Sequence, residues 1–194
     1  MFHRRRGMIG HIWPQLRPWA KSPLRAYARQ DLQRANRLME IGDFGNAAAL
    51  YEKLARKAHD SGRSRQAGHL YVQAARASVL SGQVKSGLDI LEQGLSTFAQ
   101  ANLWEVFTRV GSRAIDELRQ LGQAQAAQDL TSWLETMRLN YPTPATPVEL
   151  TDTHRLLLPL KCPSCGATVR PDEVEWIDDG QVTCDYCGSI LAAS

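Results

Sequence analysis

From residue 23 to about residue 140, apolar side chains recur at three- and four-residue steps. Leu24, Ala28, Leu32, Ala35, Leu38 and Met39 would share one face of a helix. Ser22-Pro23 suits the start of that helix, since serine can cap free amides and proline needs no donor in the first turn. Gly42 suits its end, because glycine takes a left-handed conformation without a Cβ clash. The signal then repeats. Gly42, Gly82 and Gly122 are spaced by 40 residues, with Ala35, Ala75 and Ile115 seven before them and Ala47, Gly87 and Ala127 five after. Leu50, Ile90 and Leu130 keep the same register eight residues beyond each glycine. A 40-residue period with a helix breaker at its centre predicts three helical hairpins, each exposing an apolar face that only a neighbour can bury. The spacing predicts helices near 23–41, 44–59, 64–81, 84–99, 103–121 and 124–139, with Asn102 as the cap of the fifth.

After Met137 the helical period stops. Pro142, Pro144 and Pro147 remove backbone donors and disfavour helix at each preceding residue, so an extended spacer is expected. The apolar run Leu156-Leu157-Leu158-Pro159-Leu160 follows, readable as a strand or as a patch docking the tail on the helices. The expected organisation is a basic segment 1–22, helical repeats 23–140, a proline-rich linker 141–160 and a tail domain 161–194.

All four cysteines lie in that tail, as Cys162-Pro-Ser-Cys165-Gly166 and Cys184-Asp-Tyr-Cys187-Gly188 with 18 residues between the second and third cysteine. Two intervening residues let one tight turn present both sulfurs to one ion, and the glycine lets the chain reverse with positive φ. Two such pairs supply four thiolates, a complete tetrahedral shell. The pattern resembles a zinc ribbon, which makes zinc the expected cofactor and Cys162, Cys165, Cys184 and Cys187 its ligands. Iron held by four thiolates is the minor alternative, and two disulfides would need an oxidising compartment. Between the pairs, Ala167–Arg170, Val174–Ile177 and Val182–Thr183 are expected strands, with Val169, Val174, Trp176, Val182 and Ile190 as core. His154 is read as a linker residue rather than a ligand. A closed shell of thiolates keeps no position for water, and no nucleophile elbow, phosphate loop or HExxH helix occurs, so a non-enzyme is expected.

The first hairpin turn, Gly42-Asp43-Phe44 followed by Ala47, Tyr51 and Leu54, resembles the tetratricopeptide repeat. The likeness spans roughly residues 25 to 140 and fades along the chain: the small residue survives in later copies and the aromatics do not. The resemblance implies a solenoid that grips a protein partner in a groove lined by first helices. Tyr27, Arg34, Asn36, Arg37, Tyr71, Gln73, Arg76, Arg109 and Arg113 are the polar and aromatic positions there. Trp104 and Trp133 read as core or capping residues. The expected fold class is thus mainly α, a three-hairpin helical repeat followed by a small β zinc ribbon.

Composition adds a globular balance, 43% hydrophobic and 22% charged, which excludes a disordered chain. No apolar run is long enough to span a bilayer, and Gly10, His11 and Pro14 break the stretch after Arg4–Arg6 too early for an export signal, so a cytoplasmic or membrane-peripheral protein is expected. The net charge of +3 is unevenly spread. Residues 1–29 carry seven basic and no acidic side chains, residues 30–160 balance, and residues 161–194 carry two basic against six acidic. Arg4, Arg5, Arg6, Trp13, Arg17, Trp19 and Lys21 combine cations with rings that suit a phosphate-rich partner or an anionic membrane surface, while the acidic tail would be repelled by phosphates. The leading expectation is a scaffold or adaptor for a protein partner. A nucleic-acid or ribosome-associated factor and a peripheral membrane adaptor, both using the N-terminus, are the alternatives; no small-molecule substrate is expected.

Overall fold

The computed structural model describes residues 23–140, 158–170, 174–178 and 181–192. Six helices fill the first of these spans: α1 (Pro23–Glu40), α2 (Phe44–Asp60), α3 (Ser64–Leu80), α4 (Val84–Gln100), α5 (Trp104–Gln120) and α6 (Ala124–Asn140). Each agrees with the helix expected from the periodicity to within a residue or two at either end. Their first residues from α2 onward stand 20 apart, half the period carried by the glycines Gly42, Gly82 and Gly122.

The reason is a turn built five times in the same way. Gly42, Gly62, Gly82 and Gly122 take φ between 71° and 88°, and Asn102 takes φ 62° at the equivalent place. In each turn the amide of this residue donates to a carbonyl three back, and the next amide donates to a carbonyl five back, as in Asp43 N to Leu38 O and Gln83 N to Ser78 O. That pair of bonds is the Schellman closure, which satisfies the orphan carbonyls at a helix end. The residue after the left-handed position then accepts the first amide bond of the following helix, as Asp43 does from Ala47 and Leu103 from Phe107. One residue therefore closes one helix and opens the next. Asn102 is not the cap expected for the fifth helix: Leu103 occupies the cap, and Asn102 fills the left-handed position while its side chain accepts a hydrogen bond from Trp104 Nε1.

Each helix packs against its neighbours in the chain. The small positions kept in register mark the closest approaches. A Cβ on Gly87 would lie 2.6 Å from Val79 Cγ2 and 3.0 Å from Ala75 O, and one on Gly94 would lie 2.9 Å from Tyr71 Cβ. Ala47 and Ala127, in the register of Gly87, are fully buried. Two apolar clusters result. One centres on α1 to α3, with Leu32, Tyr51, Leu54, Leu70 and Tyr71; the other centres on α4 to α6, with Leu95, Phe98, Phe107, Val110 and Leu130. Trp104 and Trp133 are half-buried against the second cluster, on either side of Phe107, in keeping with a packing role.

The tail forms an antiparallel sheet of β1 (Glu175–Asp178), β2 (Gln181–Thr183) and β3 (Ile190–Ala192), in that order. Two expectations fail here. Ala167–Arg170 is not a strand, because residues 161–169 pair only through a single bridge between Lys161 and Thr168. Ile190 is not core: β3 starts there, and alternation along that strand buries Leu191 and turns Ile190 out to solvent. Val169 and Val182 are buried as expected, and Val174 packs at the edge of the first cluster. The side chain of Trp176, the basic segment 1–22 and residues 141–157 with His154 lie outside the described residues.

Candidate metal centre and the face it docks on

The two cysteine pairs fold into matching knuckles. In the first, Gly166 N donates to Cys162 O and Cys162 N donates to Ala167 O, both at 2.8 Å. In the second, Gly188 N donates to Cys184 O at 2.8 Å and Cys184 N to Ser189 O at 2.9 Å. Gly166 and Gly188 take φ of 77° and 70°, the conformation that turns the chain back after the second cysteine of each pair. The knuckles face each other. Cys162 Sγ lies 3.7 Å from Cys187 Sγ, Cys165 Sγ lies 3.9 Å from Cys184 Sγ, and the four sulfurs all lie within 4.8 Å of one another.

These separations decide between bond and shell. A disulfide needs sulfurs at about 2.05 Å. A tetrahedron with metal–sulfur bonds of about 2.3 Å has edges of about 3.8 Å. The residues present therefore fit a four-thiolate ion. Cys162, Cys165 and Cys184 are buried, and Cys187 is half-buried with its sulfur 3.2 Å from Ser189 Oγ. Hydrogen bonds from Cys165 and Cys184 pull the Cys187 thiol down, whereas hydrogen bonds to Cys184 and Cys187, with burial, push Cys165 far up. Four thiolates cannot share so small a volume without a cation, and a bound dication would reverse the penalty on Cys165.

The ribbon does not stand apart from the helices. Its knuckles seat on α1 and α3, and the first cluster runs continuously from Leu32, Ala35 and Leu70 into Cys162, Cys165, Val182, Cys184 and Leu191. From α1, Gln33 Nε2 donates to Ser164 O at 3.0 Å and Asn36 Nδ2 to Cys165 O at 2.7 Å. Glu40 pairs with Lys161, which holds the Glu40 carboxyl below the usual carboxylate range. Asn36 is itself aimed by α2, because Tyr51 Oη donates to its Oδ1. Burial keeps the Tyr51 phenol protonated, far above its ordinary pKa. From α3, Arg65 Nε donates to Asp185 Oδ1 at 2.8 Å and Gln73 Nε2 to Tyr186 Oη at 3.1 Å. Asp185 and Tyr186 are the two residues between the cysteines of the second knuckle.

No family model, curated protein or solved structure matches this chain. What the centre can do chemically follows from its own atoms and from the groups packed against it.

His69, on α3, lies between the rings of Phe98 and Tyr186, with centroids at 5.0 and 5.7 Å. Its Nε2 stands 3.8 Å from Asp185 Oδ2, too far for a hydrogen bond. Burial, then the charges of Arg65 and Arg109, push its pKa down to about 3, so the imidazole is neutral at pH 7. Beside it, α1, α3, α5 and the ribbon enclose a cleft of about 190 Å³ whose walls include Arg76, Arg113, Glu117, Lys161 and Arg170. Arg76 pairs with Glu117 across α3 and α5.

The groove residues expected from the repeat resemblance therefore have different fates. Asn36 and Gln73 bind the ribbon, Arg76 and Arg113 line the cleft, and Tyr71 is buried with its hydroxyl accepting from Gln93. Arg109 pairs with Glu105 along α5, and Arg34 and Arg37 point to solvent. The Tyr27 side chain and all of Arg4, Arg5, Arg6, Trp13, Arg17, Trp19 and Lys21 lie outside the described residues. Sequence reasoning missed Gln33, Arg65, His69, Asp185 and Tyr186. The Asp-Tyr pair inside the second cysteine turn was the available signal for the last two.

Proposed function

We propose that this chain is a non-catalytic, zinc-binding adaptor in which a solenoid of three helical hairpins presents a surface to a protein partner and a zinc ribbon completes that surface. The observation that carries the reading is the clustering of four sulfurs at the corners of a tetrahedron. A shell closed by four protein ligands leaves no place for a substrate or an activated water, which argues for a structural ion. Zinc is favoured over iron because two short knuckles around one closed shell are the usual setting of structural zinc. The recurring turn and the register of Ala47, Gly87 and Ala127 support the solenoid reading. With the ribbon seated on α1 and α3, the cleft toward α5 is the surface we assign to the partner.

Elemental analysis of the purified chain is expected to return one zinc per polypeptide, with X-ray absorption giving sulfur-only coordination near ~2.3 Å. Metal-free protein with intact thiols, or nitrogen or oxygen in the shell, would sink the metal half of the proposal. Affinity capture with the intact chain tests the adaptor half, and a partner must be lost on substituting Arg76 and Arg113 together. The excess of seven basic side chains in residues 1–29 favours a second reading, attachment to an anionic surface. Deleting residues 1–21 should then abolish salt-sensitive binding to anionic vesicles or to nucleic acid, and unchanged binding would remove that reading.

A further inference from the structure

The helical face that a solenoid would offer to a partner already has an occupant, and the contacts fall on a particular part of it. The carbonyls of Ser164 and Cys165, which accept from Gln33 and Asn36, belong to the first knuckle. Asp185 and Tyr186, which meet Arg65 and Gln73, belong to the second, and Ser189, which meets Arg29 at 3.5 Å, directly follows it. The close fit is steric as well as polar. A Cβ on Gly188 would lie 2.8 Å from Gln66 Nε2, and one on Gly166 would lie 3.5 Å from Asn36 Nδ2. Leu32, Leu54 and Leu70 of the helices line a second, smaller cleft together with Tyr186 and Cys187. Four of these polar contacts, those of Ser164, Cys165, Asp185 and Tyr186, are thus held in place by a turn whose ends are metal ligands.

We infer that the α1–α3 face is a recognition site whose resident ligand is the chain's own ribbon in its metal-closed form, so that metal occupancy decides whether the face is covered or open. This rests on the metal reading given above and extends it. A domain of about 30 residues buries too little surface to keep its shape without the ion, so loss of metal dissolves the two knuckles. Asn36, Arg65 and Gln73 then lose these contacts together, Asn36 keeping its bond from Tyr51, and Leu32 and Leu70 lose their cover. The second cluster contains no ribbon residue, so α5 and α6, which pack on each other and on α4, keep their packing. In a chain of stacked helices each unit is stabilised mainly by its neighbours, which confines the opening to the N-terminal half.

Hydrogen exchange read by mass spectrometry on the full chain tests this, with zinc stoichiometry measured on the same samples. Stripping zinc with a chelator under reducing conditions should raise exchange in α1 and α3 about tenfold or more while α5 and α6 change little. A second variant separates docking from metal binding. Asn36→Asp combined with Arg65→Glu sets carboxylates against the Cys165 carbonyl and the Asp185 carboxylate, and leaves all four cysteines in place. It should keep one zinc per chain and still raise exchange in α1 and α3. Zinc-bound protein whose α1 and α3 exchange is unmoved by either treatment overturns the inference and spares the metal reading. A uniform rise through α6 on zinc removal also overturns it, since the ribbon would then support the whole body. A chain that never holds zinc removes the metal reading and this inference with it.

Discussion

The two halves of the helical body are built with the same turn and finished in different ways. Around α4 to α6 the core is closed by large rings and aliphatics from the helices themselves, with Phe98 and Phe107 fully buried and Trp104 and Trp133 at the edge. Around α1 to α3 the helices contribute many alanines, and the remaining cover comes from the cysteine knuckles and from Val182 and Leu191 some 120 residues further along. Local backbone geometry is therefore not what distinguishes the halves. One half completes its own core; the other borrows part of its core from the cysteine knuckles of the tail.

The strongest way to break that comparison is to remove a ligand. Cys165→Ser should abolish zinc binding, since structural zinc in small domains contributes about 10–16 kcal/mol of apparent binding free energy and little else holds such a domain together. Lost sheet signal for residues 175–192 with retained helical circular dichroism is the expected outcome. Full loss of helix would show that the halves are one cooperative unit.

A smaller effect should come from the charged contact. Asp185 is buried and Arg65 is about a quarter exposed. Arg65→Ala leaves the carboxylate without that partner, and a cost of about 2–3 kcal/mol is expected, discounted from the 3–5 usual for a fully buried pair. Arg76→Ala, further along α3, breaks a half-exposed pair with Glu117 and should cost no more than about 1 kcal/mol. Urea midpoints for the two variants check the ordering, and an inverted order would mean that the ribbon contact is decorative.

Glycines compare the seam between the halves with the inside of the second half. At Gly94 a methyl would meet Tyr71 Cβ at 2.9 Å and Gly68 O at 3.1 Å, atoms that cannot swing aside. At Gly111 its nearest neighbours would be the two Leu134 methyls at 3.0 Å, the movable end of a side chain. Overpacking costs about 1–3 kcal/mol, against a gain of about 1 from replacing glycine by alanine inside a helix. Gly94→Ala should therefore destabilise by about 1 kcal/mol, and Gly111→Ala should be neutral or slightly stabilising, both read from denaturation midpoints.

How much of this was written in the chain differs by level. Helix positions were legible because Leu32, Ala35, Leu38 and Met39 repeat with the helical period and Gly42, Gly82 and Gly122 punctuate it. The cysteine centre was legible because the spacing of Cys162, Cys165, Cys184 and Cys187 constrains sulfur geometry directly. The docking was not. Asn36 and Gln73 read as groove residues for an outside ligand, and whether Leu158 and Leu160 led the ribbon onto the helices or away from them stayed open. The structure packs Leu158 against the first cluster and leaves Leu160 exposed. Long-range pairs such as Arg65 with Asp185 depend on where two elements 120 residues apart meet, which no local period encodes.

The smallest expected effect concerns the turn joining α4 to α5, inside the second half. Gly62 carries the same signal as its neighbours at half the 40-residue period, but Asn102 breaks the series because asparagine reads first as a cap. A non-glycine residue in the left-handed region pays a steric penalty of about 1–2 kcal/mol, less for asparagine, which tolerates it best. Asn102→Gly removes that penalty but also removes the acceptor for Trp104 Nε1, an exposed hydrogen bond worth about 1 kcal/mol or less. The two nearly cancel, so a change within about 0.5 kcal/mol is expected. Asn102→Ala loses the acceptor and raises the strain, and should cost about 1–2 kcal/mol. If the pair of variants behaves alike, the side chain of Asn102 matters more than its backbone, and the turn joining α4 to α5 is not equivalent to the four that use glycine.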